Sequence, residues 1–167
     1  YSNIAKANEG TYISKLILKR RVSTVPGVAD TPDNSFGMVF FSDENQMIVK
    51  RYLNETNAVV TDRREYKEEI IVDSSEFSDE AVKCPFNLGF STIEHIISLN
   101  KAFNNHKFGT SNGKWLFARI ILNRKLPSSF RELQVQLSKS TNGVYTVCNV
   151  YIDGINLGEV HFVLDVK

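Results

Sequence analysis

The most constraining stretch of this 167-residue chain is residues 90–103, Phe-Ser-Thr-Ile-Glu-His-Ile-Ile-Ser-Leu-Asn-Lys-Ala-Phe. Ile93, Ile96, Ile97 and Phe103 recur at helical spacing, and Leu99 and Ala102 widen the stripe until few polar positions remain. A helix apolar on most sides must be covered by other structure. Its start is marked by Ser91-Thr92-Ile93-Glu94, the spacing of a capping box, in which Ser91 accepts from the Glu94 amide and the Glu94 carboxylate reaches back to the Ser91 amide. Residues 104–109, Asn-Asn-His-Lys-Phe-Gly, supply the stop, and 109–113 read as loop.

The cover follows in the sequence as four strands starting at Trp115, Phe130, Val144 and Leu157. In residues 115–123 the alternate positions Leu116, Ala118, Ile120 and Leu122 are all apolar, which predicts one covered face, with Trp115, Phe117, Arg119 and Ile121 on the other. In 130–139, Leu133, Val135 and Leu137 alternate with Glu132, Gln134, Gln136 and Ser138, a half-exposed pattern. Thr141-Asn142-Gly143 and Asp153-Gly154 are hairpin turn signals. Between them Val144, Thr146, Cys148, Val150 and Ile152 oppose Tyr145, Val147, Asn149 and Tyr151. In the last strand Val160, Phe162, Leu164 and Val166 face one way, with Glu159, His161 and Asp165 facing the other, toward solvent. Short turns make these strands an antiparallel meander, and its face is the natural place for the helix to bury itself.

Upstream the signals are weaker. Residues 1–11 are polar, 12–19 read as a strand, and 20–34 form a long loop marked by Val25-Pro26-Gly27 and Asp30-Thr31-Pro32. Residues 36–42 and 47–53 predict a hairpin, 54–67 a polar insert, 68–73 a short strand and 74–89 a connection. No repeat or interdomain linker is visible. The expected organisation is one domain over 1–167, with a strand and loop in 1–34, hairpin and connection in 35–89, the central helix in 90–104 and the meander in 115–167.

A formal net charge of +1 gives no bulk electrostatic argument for nucleic acid, and the basic clusters Lys19-Arg20-Arg21 and Arg63-Arg64 are balanced by acids such as Glu68-Glu69. No apolar run approaches the roughly 20 residues of a membrane helix. No signal peptide is visible, and an opening at Tyr1 rather than Met leaves a trimmed leader open. Three histidines and two cysteines lack metal-ligand spacing, so neither a metal nor another cofactor is expected. Cys148 lies on an apolar strand face and reads as a buried thiol, while Cys84 precedes Pro85 in a loop. Asn54-Glu55-Thr56 is a glycosylation triplet whose meaning depends on secretion.

The element order resembles the hotdog fold, an α+β architecture in which an antiparallel sheet wraps one buried central helix. The likeness is nearest to the acyl-carrier-protein dehydratases and the related thioesterases. Residues 36–41, Phe-Gly-Met-Val-Phe-Phe, and 47–52, Met-Ile-Val-Lys-Arg-Tyr, resemble that branch's opening hairpin. Residues 118–127, Ala-Arg-Ile-Ile-Leu-Asn-Arg-Lys-Leu-Pro, resemble its strand ending in a proline loop, and 150–160 its Asp-Gly hairpin before the last strand. The resemblance spans about 36–164 and implies acyl-CoA or acyl-carrier-protein partners, a homodimer, a cytoplasmic setting and a place in lipid metabolism.

It also implies a catalytic carboxylate at Glu94, near the start of the buried helix. The dehydratases carry a histidine in the loop before that helix; here residues 83–89 read Lys-Cys-Pro-Phe-Asn-Leu-Gly and hold none. Dehydration needs both a base and an acid, whereas hydrolysis through a carboxylate and a water survives this loss. Glu94 therefore reads either as that carboxylate or as the cap partner of Ser91. His95 reads as a general acid beside Glu94 or as a surface or dimer-contact histidine, and adjacent helical residues point in different directions. Arg119 and Arg124 read as contacts to a phosphopantetheine phosphate or as solvated charges. The rival expectation is a non-catalytic hotdog domain, or another β-rich module, that binds an acyl chain or a partner protein.

Overall fold

The structure is a computed structural model that describes residues 11–18, 35, 37–43, 48–53, 66–109 and 113–166. Its elements run β1 (Tyr12–Leu18), β2 (Gly37–Ser42), β3 (Ile48–Leu53), α1 (Glu68–Asp73), β4 (Glu76–Phe77), β5 (Ala81–Cys84), α2 (Thr92–Phe108), β6 (Gly113–Leu122), β7 (Leu133–Thr141), β8 (Tyr145–Ile152) and β9 (Ile155–Val166). The N-terminal segment 1–10, the whole 20–34 loop, the 54–65 part of the polar insert and the Asn54 triplet lie outside the described residues.

The strands form one antiparallel sheet in the order β3-β2-β1-β6-β9-β8-β7-β5-β4. α2 crosses one face of it and touches β5, β6, β7, β8 and β9. This is the α+β arrangement of a hotdog fold, an antiparallel sheet packed on a single long helix. Ile96, Leu99 and Phe103 of α2 are fully buried against Leu133, Val135, Val150, Val160 and Phe162. Burying a large apolar side chain contributes about 1.5–3 kcal/mol, so this contact dominates the energetics of the domain.

The helix begins where the capping box placed it and runs to Phe108, one turn beyond the expected end, with Gly109 closing it at φ 77°. Its rotation differs from the expected one. Ile93 is 39% exposed, while Thr92, His95, Ser98, Asn100 and Asn104 are buried. The inner face is thus partly polar, and the apolar stripe read from spacing is off-centre. Asn104 donates to Asn100 Oδ1 at 2.9 Å, yet Asn104 Oδ1 and the Thr146 hydroxyl on the facing β8 have no hydrogen-bond partner among the described residues.

Two expectations are corrected upstream. Residues 68–73 form α1 rather than a strand, because three consecutive apolar residues carry no period and tertiary packing decides. Ile71 is buried in the core, and Lys101 of α2 pairs with Glu68 at 2.5 Å. The 74–89 connection holds the hairpin β4–β5, whose Val82 and Cys84 stand opposite Val135 and Leu133. The predicted hairpin β2–β3 does form, but it joins the sheet through β1, beyond β6.

The third correction concerns β6. Its pairing with β9 shifts register between Phe117 and Arg119, leaving Ala118 as an extra residue. A bulge reverses the parity of a strand. Trp115 is therefore core at 4% exposure while Leu116 is 45% exposed, and only beyond the bulge do Ile120 and Leu122 point inward as expected. The stripe Trp115, Phe117 and Ile121 is consequently not one outward face. A second shift occurs in β9 near Gly158, whose φ is 140°. A Cβ there would overlap the Ile121 carbonyl oxygen, so only glycine fits.

Ile96→Ala is expected to cost about 2–5 kcal/mol and Trp115→Ala about 3–5 kcal/mol. Leu116→Ala should cost under about 1 kcal/mol. Denaturant unfolding of the three variants checks this, and a Leu116→Ala loss matching that of Trp115→Ala would contradict the bulge.

Candidate functional site

The place where the resemblance puts catalysis is the N-terminus of α2. Ser91 caps the helix with extended backbone, φ −66° and ψ 153°. Its amide donates to Glu94 Oε2 at 2.7 Å and its hydroxyl to the same oxygen at 2.6 Å. The Glu94 amide donates to Ser91 Oγ at 3.4 Å, which completes the box. One side-chain oxygen of Glu94 is thus engaged twice in holding the helix start. Thr92 donates its hydroxyl to the Pro127 carbonyl and ties the loop between β6 and β7 to this helix end.

His95 points the other way, into the core. Nδ1 lies 3.0 Å from the Ser91 carbonyl oxygen and Nε2 accepts from the Leu88 amide at 3.3 Å. One tautomer satisfies both contacts, with the hydrogen on Nδ1. The ring stands edge-on to Phe130 at 4.9 Å and to Phe90 at 5.9 Å between centroids. It is fully buried, not at a surface or open to a substrate, because the 83–89 loop and Phe130 close over it. Glu94 and His95 are not brought together on one reacting atom; helical geometry sends them to different environments.

Arg119 and Arg124 are not brought to this helix end as a pair. The bulge at Ala118 turns Arg119 to the outer face of the sheet, opposite His161 on β9 and Ile17 on β1, away from α2. Its Nε is buried and has no hydrogen-bond partner among the described residues. Arg124 is exposed in the loop after β6.

The cysteines are buried and unpaired. Cys84 donates to the Phe86 carbonyl at 3.2 Å. Burial pushes the Cys148 thiol up to about 12, and a hydrogen bond with Asn100 offsets this only in part. A thiol so placed is not a nucleophile at neutral pH. Among the described residues, shallow grooves of about 450 Å³ flank the core. One lies between α1 and α2, lined by Glu68, Asp73, Ser98, Lys101 and Asn105, and one lies over the ends of β1, β2 and β6, lined by Tyr12, Lys15, Phe40 and Asn123. Among the described residues no three His, Cys, Asp or Glu side chains gather as a metal ion would need, and no helix is long and apolar enough to cross a membrane.

A group missed by sequence reasoning lies on the outer sheet face. His161, expected toward solvent, is 6% exposed. Its Nε2 lies 2.8 Å from Glu159 Oε1, and its Nδ1 is hydrogen-bonded to the Tyr145 hydroxyl. The Asp153-Gly154 hairpin pairs Ile152 with Ile155, and an unbroken register would have set His161 against Thr146 on the inner face. The shift at Val150/Tyr151 sets it against Val147 instead, which places Tyr145 diagonally beside it. The i, i+2 spacing of Glu159 and His161 was the available signal; the bulge was not.

No known protein family matches the sequence, and no curated relative was found. The solved structure of the erythromycin dehydratase superposes with a TM-score of 0.42 at 7% identity, covering 92% of this chain and 73% of that chain. The fold assignment above stands on strand order and helix packing.

If His95 pins the loop, His95→Ala should lower stability by about 2–4 kcal/mol, since it empties a buried site and leaves the Leu88 amide unpaired. Thermal or urea unfolding reads this, and a loss under about 1 kcal/mol would show that the ring carries no such role.

Proposed function

We propose that this chain is a single hotdog-like domain that binds an acyl thioester, on coenzyme A or a carrier protein, without catalysing a reaction at the helix N-terminus. The observation that carries the non-catalytic part is the double engagement of Glu94 Oε2 by Ser91, together with the burial of His95 with both ring nitrogens bonded. A general base must reach the proton it abstracts, and an acid must reach the leaving group. Here one residue is occupied by the cap and the other by the core. The acyl-thioester ligand rests on the resemblance of residues 36–164 to the dehydratase and thioesterase branch.

A homodimer belongs to the same reading. Its physical support is the exposed pair Leu116 and Val163, which stand opposite each other on the outer face of β6 and β9. Contiguous exposed apolar side chains mark interaction surfaces. A cytoplasmic, reducing setting agrees with two buried cysteines left unpaired. Hydrolysis through Glu94 is the second reading, favoured by the partial exposure of that residue at a helix N-terminus.

The test combines sedimentation, titration calorimetry and turnover assays with a panel of acyl-CoA and acyl-carrier thioesters. The expected result is a dimer with saturable binding, no turnover, and the same binding in Glu94→Gln at a stability within about 1 kcal/mol of the parent. Turnover that Glu94→Gln lowers about 100-fold or more at unchanged stability would install the hydrolase instead. Neither binding nor turnover would remove the thioester from the account.

A further inference from the structure

The outer face of the sheet carries chemistry that the helix end does not use. Among the described tyrosines, Tyr12 donates to the Asn123 carbonyl and Tyr66 is bonded to the Ser98 hydroxyl. Tyr145 instead meets a ring nitrogen of His161. The far side of that imidazole rests on the Glu159 carboxylate at 2.8 Å. A carboxylate on Nε2 fixes the tautomer with hydrogen on Nε2, so the Nδ1 lone pair is left to accept the Tyr145 proton. The chain Glu159–His161–Tyr145 therefore has the order of orienting acid, base and hydroxyl that activates a nucleophile. Burial of the imidazole holds it in place, while Tyr145 and Glu159 remain partly exposed on either side.

Arg119 completes the group. It stands directly across from His161 on β6, and its Nε is buried with no hydrogen-bond partner among the described residues. A guanidinium on this face favours negative charge carried by a ligand. Leu116 and Val163 flank the site as an exposed apolar floor.

We propose that Tyr145, His161, Glu159 and Arg119 form a reactive site for anionic acyl or sulfonyl electrophiles, with Tyr145 as nucleophile. In the step the Tyr145 oxygen forms a bond to the electrophilic centre, the leaving group departs with its bonding pair, and the hydroxyl proton passes to His161 Nδ1. Glu159 is a positioning residue that stabilises the imidazolium so formed. The site lies on the opposite face of the sheet from α2 and stands independently of the acyl-thioester reading, because its test uses no thioester.

The experiment treats the full chain with 4-(fluorosulfonyl)benzoate, whose carboxylate suits Arg119, and with the neutral phenylmethanesulfonyl fluoride. Sulfonylation of each tyrosine is followed by mass spectrometry, with fluoride as the leaving group. Tyr145 should be modified at least tenfold faster than Tyr151 in the same molecule. His161→Gln should slow it about 100-fold or more, in the range of general-base contributions. Glu159→Gln should slow it by a smaller factor, and this change at a half-exposed residue keeps the test valid if His161→Gln fails to fold. Arg119→Gln should slow the anionic probe and leave the neutral one unchanged. Tyr145 labelling no faster than that of Tyr151, or rates that Glu159→Gln and a folded His161→Gln leave unaltered, would overturn the nucleophile. Equal effects of Arg119→Gln on both probes would overturn the anionic preference.

Discussion

The fold depends on one contact, that of Ile96, Leu99 and Phe103 of α2 with the inner face of β7, β8 and β9. These side chains are fully buried, as are Leu133, Val135, Val150, Val160 and Phe162 facing them. Neither layer is stable alone. A helix of 17 residues is marginal in water, and a sheet with one bare apolar face would aggregate. Everything that bears on function is positioned by this contact: the capped helix start on one side of the sheet and the His161 group on the other.

The same contact includes polar groups that an apolar interior penalises. Among the described residues Asn104 and Thr146 leave two polar atoms unpaired, and each such atom costs about 1–3 kcal/mol. A polar stripe on the buried face fixes the rotation of α2 against the sheet, since any other rotation would expose Leu99 or bury Lys101. It also explains why the surrounding hydrophobic contact must be extensive. At the helix N-terminus the polar groups are better served, with Ser91, Thr92 and His95 each bonded to a named partner. The helix is thus held rigidly where chemistry was expected, and loosely satisfied in its middle.

Much of this was legible in the sequence. The capping box, the helix, the meander and the turns at Asn142-Gly143 and Asp153-Gly154 follow from local spacing and appear in place, because local rules govern them. The Asp153 carboxylate accepts from the Arg131 and Glu132 amides, both at 2.9 Å, and these bonds hold it below the usual carboxylate range. What escaped was parity. One extra residue at Ala118 exchanged the faces of Trp115 and Leu116, and another near Gly158 moved His161 beside Tyr145. Bulges are set by cross-strand pairing, which no single strand encodes. Residues 68–73 escaped for a related reason: their helical form is decided by Ile71 packing into the core. At the candidate site, the capping role of Glu94 was readable, but the burial of His95 depends on Leu88 and Phe130 closing over it from outside the helix.

The central claim is that α2 is an inseparable part of the sheet's core, and native-state hydrogen exchange tests it most directly. The amides of residues 96–103 should exchange only through global unfolding, with the same opening free energy and denaturant dependence as the central amides of β8 and β9. Exchange of those helix amides through a local opening, while β8 and β9 stay protected, would contradict the account.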